Sequence, residues 1–135
     1  MSYAVAGALQ AAIYQHLRAD APLAALVGAA VYDAMPPGTL VGTYVSLGPE
    51  DVADASDKTG DGATHDFVVS VITDEAGFAT AKAAAAAVSD ALVGADLMLT
   101  RGRLVGLWFL RAQARRVEKA DTRRIDLTFR ARVEG

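Results

Sequence analysis

Apolar residues recur at Val5, Leu9, Ala12, Ile13 and Leu17, a helical spacing that leaves Gln10, Gln15 and Arg18 off the stripe. Ser2 stands where an N-cap would, and the helix is expected to end around Asp20 to Pro22, because the residue before a proline disfavours the α region. "PLAALVG" allows one more short turn, with Pro22 at its first position and Gly28 as its stop. A second helical stripe runs through Phe78, Ala81, Ala85, Val88 and Leu92, with Gly94 ending it. Thr73 or Asp74 is placed to cap this helix, and the early acids suit its positive end. Its run of five alanines keeps helix propensity high and lets a neighbour lie close.

Elsewhere the period shortens to two. Ile125, Leu127, Phe129, Ala131 and Val133 alternate without a break with Arg124, Asp126, Thr128, Arg130 and Arg132, which predicts a half-buried antiparallel strand. Its partner is expected from about Leu107 to Val117, after a short apolar piece "LML" and the turn "TRGR". "HDFVVSVIT" is apolar on both alternations, so it predicts a central strand covered on one face and partly on the other. Shorter β-prone pieces lie at Val31-Tyr32 and Tyr44 to Leu47, separated by the "PPG" break at 36–38. Residues 49–65 are acidic, small and glycine-bearing, and they predict an exposed, mobile loop. The order α, β, β, loop, β, α, β, β, β gives a single domain over 1–135 of the α+β class: an antiparallel-rich sheet with two main helices packed on one face.

Composition narrows the chemistry. The chain is 53% apolar, yet much of that is alanine, and no stretch of 18 apolar residues exists to span a membrane. The first twenty residues lack the charge and cleavage pattern of a signal peptide, so a soluble protein made in the cytosol is expected. Zero cysteines rule out disulfides, zinc–thiolate sites and thiol catalysis. His16 sits at the edge of the first helical stripe and reads as a core neighbour, while His65 before Asp66 falls at a loop–strand junction. No nucleophile elbow, H-E-x-x-H or phosphate-cradling loop occurs. "DKTGDG" has partial calcium-loop spacing, but Val68 stands where the bidentate acid belongs. No catalytic residue, metal ligand or cofactor site is therefore assigned.

Charge is the informative quantity. Residues 1–100 hold 12 acids and 3 bases, net −9, whereas 101–135 hold 10 bases and 4 acids, net +6. Such a split serves nucleic-acid attraction or head-to-tail association, and it also arises when strands simply keep polar outer faces. Arg124, Arg130 and Arg132 are expected to line one sheet face, widened by Arg111, Arg115 and Arg116 of the partner strand. Single-strand binding normally adds stacking aromatics, and none is expected on that face, Phe129 lying on the other. The arginines are thus expected to meet acids such as Asp51, Asp54, Asp57 and Asp61 of a neighbouring copy or another protein, with the 49–65 loop ordering on docking.

The order of elements, with "ALQAAIYQHL", "AAVYDAMPPGTLVGTYVSLG", the acidic loop, "HDFVVSVITDEAGFATAKAAAAAVSDAL" and the closing hairpin ending "LTFRARVEG", resembles the tail-terminator (tail-completion) proteins of long, non-contractile-tailed phages and gene transfer agents. The resemblance is one of pattern over nearly the whole chain, and it transfers no residue-specific site. It implies a hexameric ring of identical copies that caps the head-proximal end of the tail tube, stops its polymerisation and docks the neck of the head. The implied partners are the chain itself, the tail tube protein, the head–tail connector or neck protein, and genome DNA passing through the channel without sequence-specific binding. It also implies a place at the neck end of a virion or phage-like particle, assembled in the bacterial cytoplasm. A head–tail stopper or adaptor, or a DNA-binding accessory protein, is the alternative reading.

Overall fold

The computed structural model describes residues 3–58 and 60–135. Its elements are α1 (Ala6–Ala19), α2 (Ala21–Val27), β1 (Val31–Tyr32), β2 (Thr43–Asp54), β3 (Gly62–Thr73), α3 (Ala79–Leu92), β4 (Arg103–Val117) and β5 (Thr122–Glu134), with a 3-10 turn at Glu118–Ala120 between the last two strands. The expected α+β class is what forms. One five-stranded sheet has the order β1-β2-β3-β5-β4, antiparallel throughout except where β1 runs parallel to β2.

The helices form because their stripes have a core to meet. Val5, Ala6, Leu9, Ile13 and Leu17 of the α1 segment are buried, as are Ala81, Ala84, Ala85, Val88 and Leu92 of α3. They close over the sheet face that carries Val45, Val69, Val71, Ile125, Leu127 and Phe129. Phe129 is fully buried, with Phe67 stacked against it at 5.7 Å between ring centroids and Phe109 edge-on at 5.9 Å. His16 lies where the stripe predicts, with Nε2 2.8 Å from the Ala91 carbonyl of α3. Asp20 caps α2 through its carboxylate, which accepts from the Leu23 N–H, and Gly28 ends that helix at φ 63°.

Three expectations are corrected. α3 begins five residues later than its acidic lead-in suggests, with no side-chain cap. Thr73 Oγ1 instead accepts from the Glu75 N–H, and Asp74 accepts from the Gly42 N–H, so both residues tie loops together. "LML" is no strand: Leu97 is buried against the core, while β5 already has β3 and β4 on its two sides. Most importantly, the 49–65 stretch is a hairpin. Glu50 to Asp54 pair in register with Phe67 to Ala63, after a bulge between Leu47 and Glu50. β2 runs to Asp54 and β3 starts at Gly62. Long pairing of β3 with β5, from Gly62↔Glu134 onward, supplies a template that local composition does not reveal. Gly62 is part of the reason it fits, since a Cβ there would come within 2.7 Å of the Arg132 guanidinium and 2.9 Å of the Ala55 carbonyl. The expected cap Ser2, and Thr59 in the calcium-like loop, lie outside the described residues.

Candidate interaction surfaces

Register fixes which side chains share the sheet face away from the helices. Arg130 stands between Asp66 of β3 and Trp108 of β4, Arg124 between Ile72 and Arg115, and Arg132 between Thr64 and Gly106. Arg111, opposite Thr128, joins the same face. Arg116 does not. It pairs with Arg123 one position on, so alternation turns it to the helix side, where its guanidinium meets Asp121 at 3.2 Å.

The outward arginines find acids within their own chain. Arg130 grips Asp66 through two bonds, at 2.7 and 2.9 Å. Asp126 accepts from Ser70 Oγ at 2.6 Å and Arg124 Nε at 2.8 Å, with Arg115 3.8 Å away. These are cross-strand and same-strand pairs that a flat sheet face places side by side. The Arg130 hydrogen bonds hold the Asp66 carboxyl below the ordinary aspartate range against partial burial. Burial pushes Asp126 upward, but the donations from Ser70 and Arg124 and the charges of Arg124 and Arg115 outweigh it and leave it lowered. The row is therefore largely neutralised from within. Arg111 has no hydrogen bond or ion pair among the described residues, and the buried Arg132 Nε has no partner there either.

Of the acids expected to face a neighbour, all four are exposed, but they do not form one patch. Asp51 lies beside Asp66 on the outer face. Asp54 falls on the opposite alternation and accepts from the Ser56 hydroxyl at 2.7 Å, which lowers its pKa. Asp57 accepts from the Gly60 N–H inside the turn. Asp61 follows at the turn's end, next to β3. Among the described residues, no group of three or more His, Asp and Glu side chains is placed to hold a metal ion.

Sequence reasoning missed two features. His65, expected near a loop, is fully buried in β3, with Nδ1 3.4 Å from the Glu50 carboxylate, which also accepts from the Tyr3 hydroxyl. The second is β4 itself. Val105, Trp108, Phe109 and Leu110 are all more than two-fifths exposed. Trp108 also puts an aromatic ring on the outer face, contrary to expectation. Its indole lies over Gly106, where a Cβ would come within 2.6 Å of the ring. On the helix side, Phe109, Ala112 and Ala114 face Lys82, Ala86 and Ser89 of α3 across an open groove. The signal was present in the unbroken apolar run "LVGLWFL", which an edge strand cannot bury.

The helix-backed sheet thus leaves a long strand edge uncovered, with apolar side chains exposed along it. The chain belongs to the tail completion protein family: the profile described as "Tail completion protein gp17" matches residues 11–134. That makes it a structural protein of a phage-type tail. Among solved structures it is similar to a chain of the virion of a native gene transfer agent particle, with 88% identity, a TM-score of 0.93, and coverage of 99% of this chain and 100% of that one. No curated protein matches significantly.

Proposed function

We propose that copies of this chain close into a hexameric ring on the head-proximal end of a tail tube, where the ring ends tube polymerisation and offers the docking face for the neck of the head. The family match over 11–134, together with the 88% identical chain in a gene transfer agent virion, carries this reading. A ring of identical copies requires two unlike patches on each, and the division between an acidic first hundred residues and a basic remainder supports that requirement. Charged contacts to a neighbouring copy or the neck protein come from the outer-face Arg111, Arg115, Arg124, Arg130 and Arg132, and from Arg116 on the helix side, meeting the separately placed acids Asp51, Asp54, Asp57 and Asp61. Arg111 and Asp51 stand foremost, since neither has a partner within the chain among the described residues. Genome DNA passes through the channel without base-specific contact. Assembly takes place in the bacterial cytoplasm, and the finished ring sits at the neck end of the particle.

Negative-stain microscopy of the purified protein mixed with tail tubes tests the proposal. Six-fold rings on one end of each tube are the expected result. Rings found only on the portal side of heads would overturn it in favour of a stopper. Monomers that bind duplex DNA with steep salt dependence would overturn it in favour of a DNA-binding accessory.

A further inference from the structure

We infer that the free edge of β4 is the seam by which one copy adds to the next, and that its occupant is the β2 edge, residues 47–54, of a second copy; this rests on the ring reading above. β4 is the last strand of the sheet, and its outer edge has no strand partner among the described residues; the Gly94 N–H meets the Leu107 carbonyl at 3.0 Å, and the edge beyond Leu107 is the part left open. Proteins normally blunt such an edge with charged side chains, bulges, prolines or a covering loop, and β4 has bulges at Leu104/Gly106 and Phe109/Arg111 and arginines toward its far end. Even so, four of the ten exposed large hydrophobics among the described residues fall within six residues of that strand, and the α3 groove leaves its helix-side face open as well. An edge whose first half exposes apolar side chains on both faces is suited to receive another strand.

The opposite edge has the matching character. β1 covers only Val45 and Ser46 of β2, so the strand is uncovered from Leu47 onward. β4 contains four arginines and no acid, whereas β2 contains three acids and no base. Two positive edges, or two negative ones, would repel each other, so the charges favour β4 against β2 and disfavour symmetric pairing. Direction agrees. Successive antiparallel pairings run β2 and β5 one way and β3 and β4 the other. Rotation about an axis roughly along the strands therefore brings β4 against the next copy's β2 in antiparallel sense, continuing the alternation of the sheet. The two edges are different patches, so each addition is head-to-tail and regenerates a free edge until the ring closes. Arg111 and Asp51, without a partner among the described residues, lie on the same outer face at the two edges and become partners across the seam. Pro49 and the bulge before Glu50 leave a short ladder at Glu50 to Asp54, so each seam is modest and the closed ring gains from many.

A chain without cysteine allows a direct test. Arg111→Cys is combined in turn with Asp51→Cys and Ala53→Cys, which share the outer face, and separately with Ala25→Cys on exposed α2 as a control. Full-length variants are oxidised free in solution and in particles, and masses are read by light scattering and non-reducing gels. Rings that yield a covalent ladder of the chain with Asp51→Cys or Ala53→Cys, and none with Ala25→Cys, are expected. In addition, Leu110→Lys should shift mass from ring to monomer while leaving the circular dichroism spectrum unchanged. Rings without a ladder overturn the seam and leave the ring reading standing. A chain that remains monomeric both free and in particles overturns both. Cross-links from position 111 only to a different particle protein overturn the second copy as occupant.

Discussion

β4 and β5 are two arms of one hairpin, both long and both carrying arginines and apolar residues, yet they have opposite fates. In β5 strict alternation sends Ile125, Leu127, Phe129, Ala131 and Val133 into the core and leaves the polar set outside. In β4 only Leu104 and Leu107 are buried, and the strand is exposed from Trp108 to Arg116. The difference is position in the sheet. β5 has a strand on each side and α3 above it, whereas β4 has one neighbour and runs past the helical layer. Apolar character thus predicts burial only when topology supplies a cover, and much of β4 has none among the described residues.

The comparison breaks or holds under graded tests. Phe129→Ala should have the largest effect, a loss of about 3–5 kcal/mol by cavity formation beneath α3, seen as a fall in Tm of more than about 10 °C. A loss below about 1 kcal/mol would show that β5 is not the anchored arm. Asp126→Ala comes next, because it strips partners from Ser70, Arg124 and Arg115 at once; the expected cost is about 1–2 kcal/mol in urea unfolding. Acidification acts on the same pairs. Asp66 and Asp126 have folded pKa values lowered from the ordinary one, so their contribution is complete above roughly pH 4 and is lost as pH falls through the folded values. The denaturation midpoint should fall as pH drops below about 4, and it should fall less in the Asp66→Asn, Asp126→Asn double variant. An equal fall in both would assign acid sensitivity elsewhere. Smallest of all, Leu110→Ser on the monomer should stay within about 0.5 kcal/mol, since its side chain is already two-fifths exposed. A large loss there would mean that β4 is held by its own chain after all.

Much of the fold was legible locally. The stripes of α1 and α3 and the alternation of β5 each state their own burial, because helix and strand periods are properties of a few neighbouring residues. What escaped depends on partners far along the chain. The acidic 50–54 arm is a strand because β3 and β5 extend beside it, not because Glu50, Asp51 and Asp54 prefer extended structure. The arginine row read as a free basic surface because Asp66 lies 64 residues from Arg130, and Ser70 56 residues from Asp126. Arg115 and Arg116 looked equivalent, although adjacent residues on a strand face opposite ways and only one of them could join the row. The run "LVGLWFL" signals more apolar surface than an edge strand can bury, but that β4 is the edge, and where the helices stop beside it, depends on strand order rather than on local sequence.

The chain has one tryptophan, and it sits half-exposed on that open edge with its indole laid over Gly106. The protein therefore carries an intrinsic optical probe at the place where association would be felt. Emission from Trp108 should shift to the blue and resist acrylamide whenever the edge is covered, and core unfolding should shift it to the red. One side chain thus separates assembly from folding in a single spectrum, without any label.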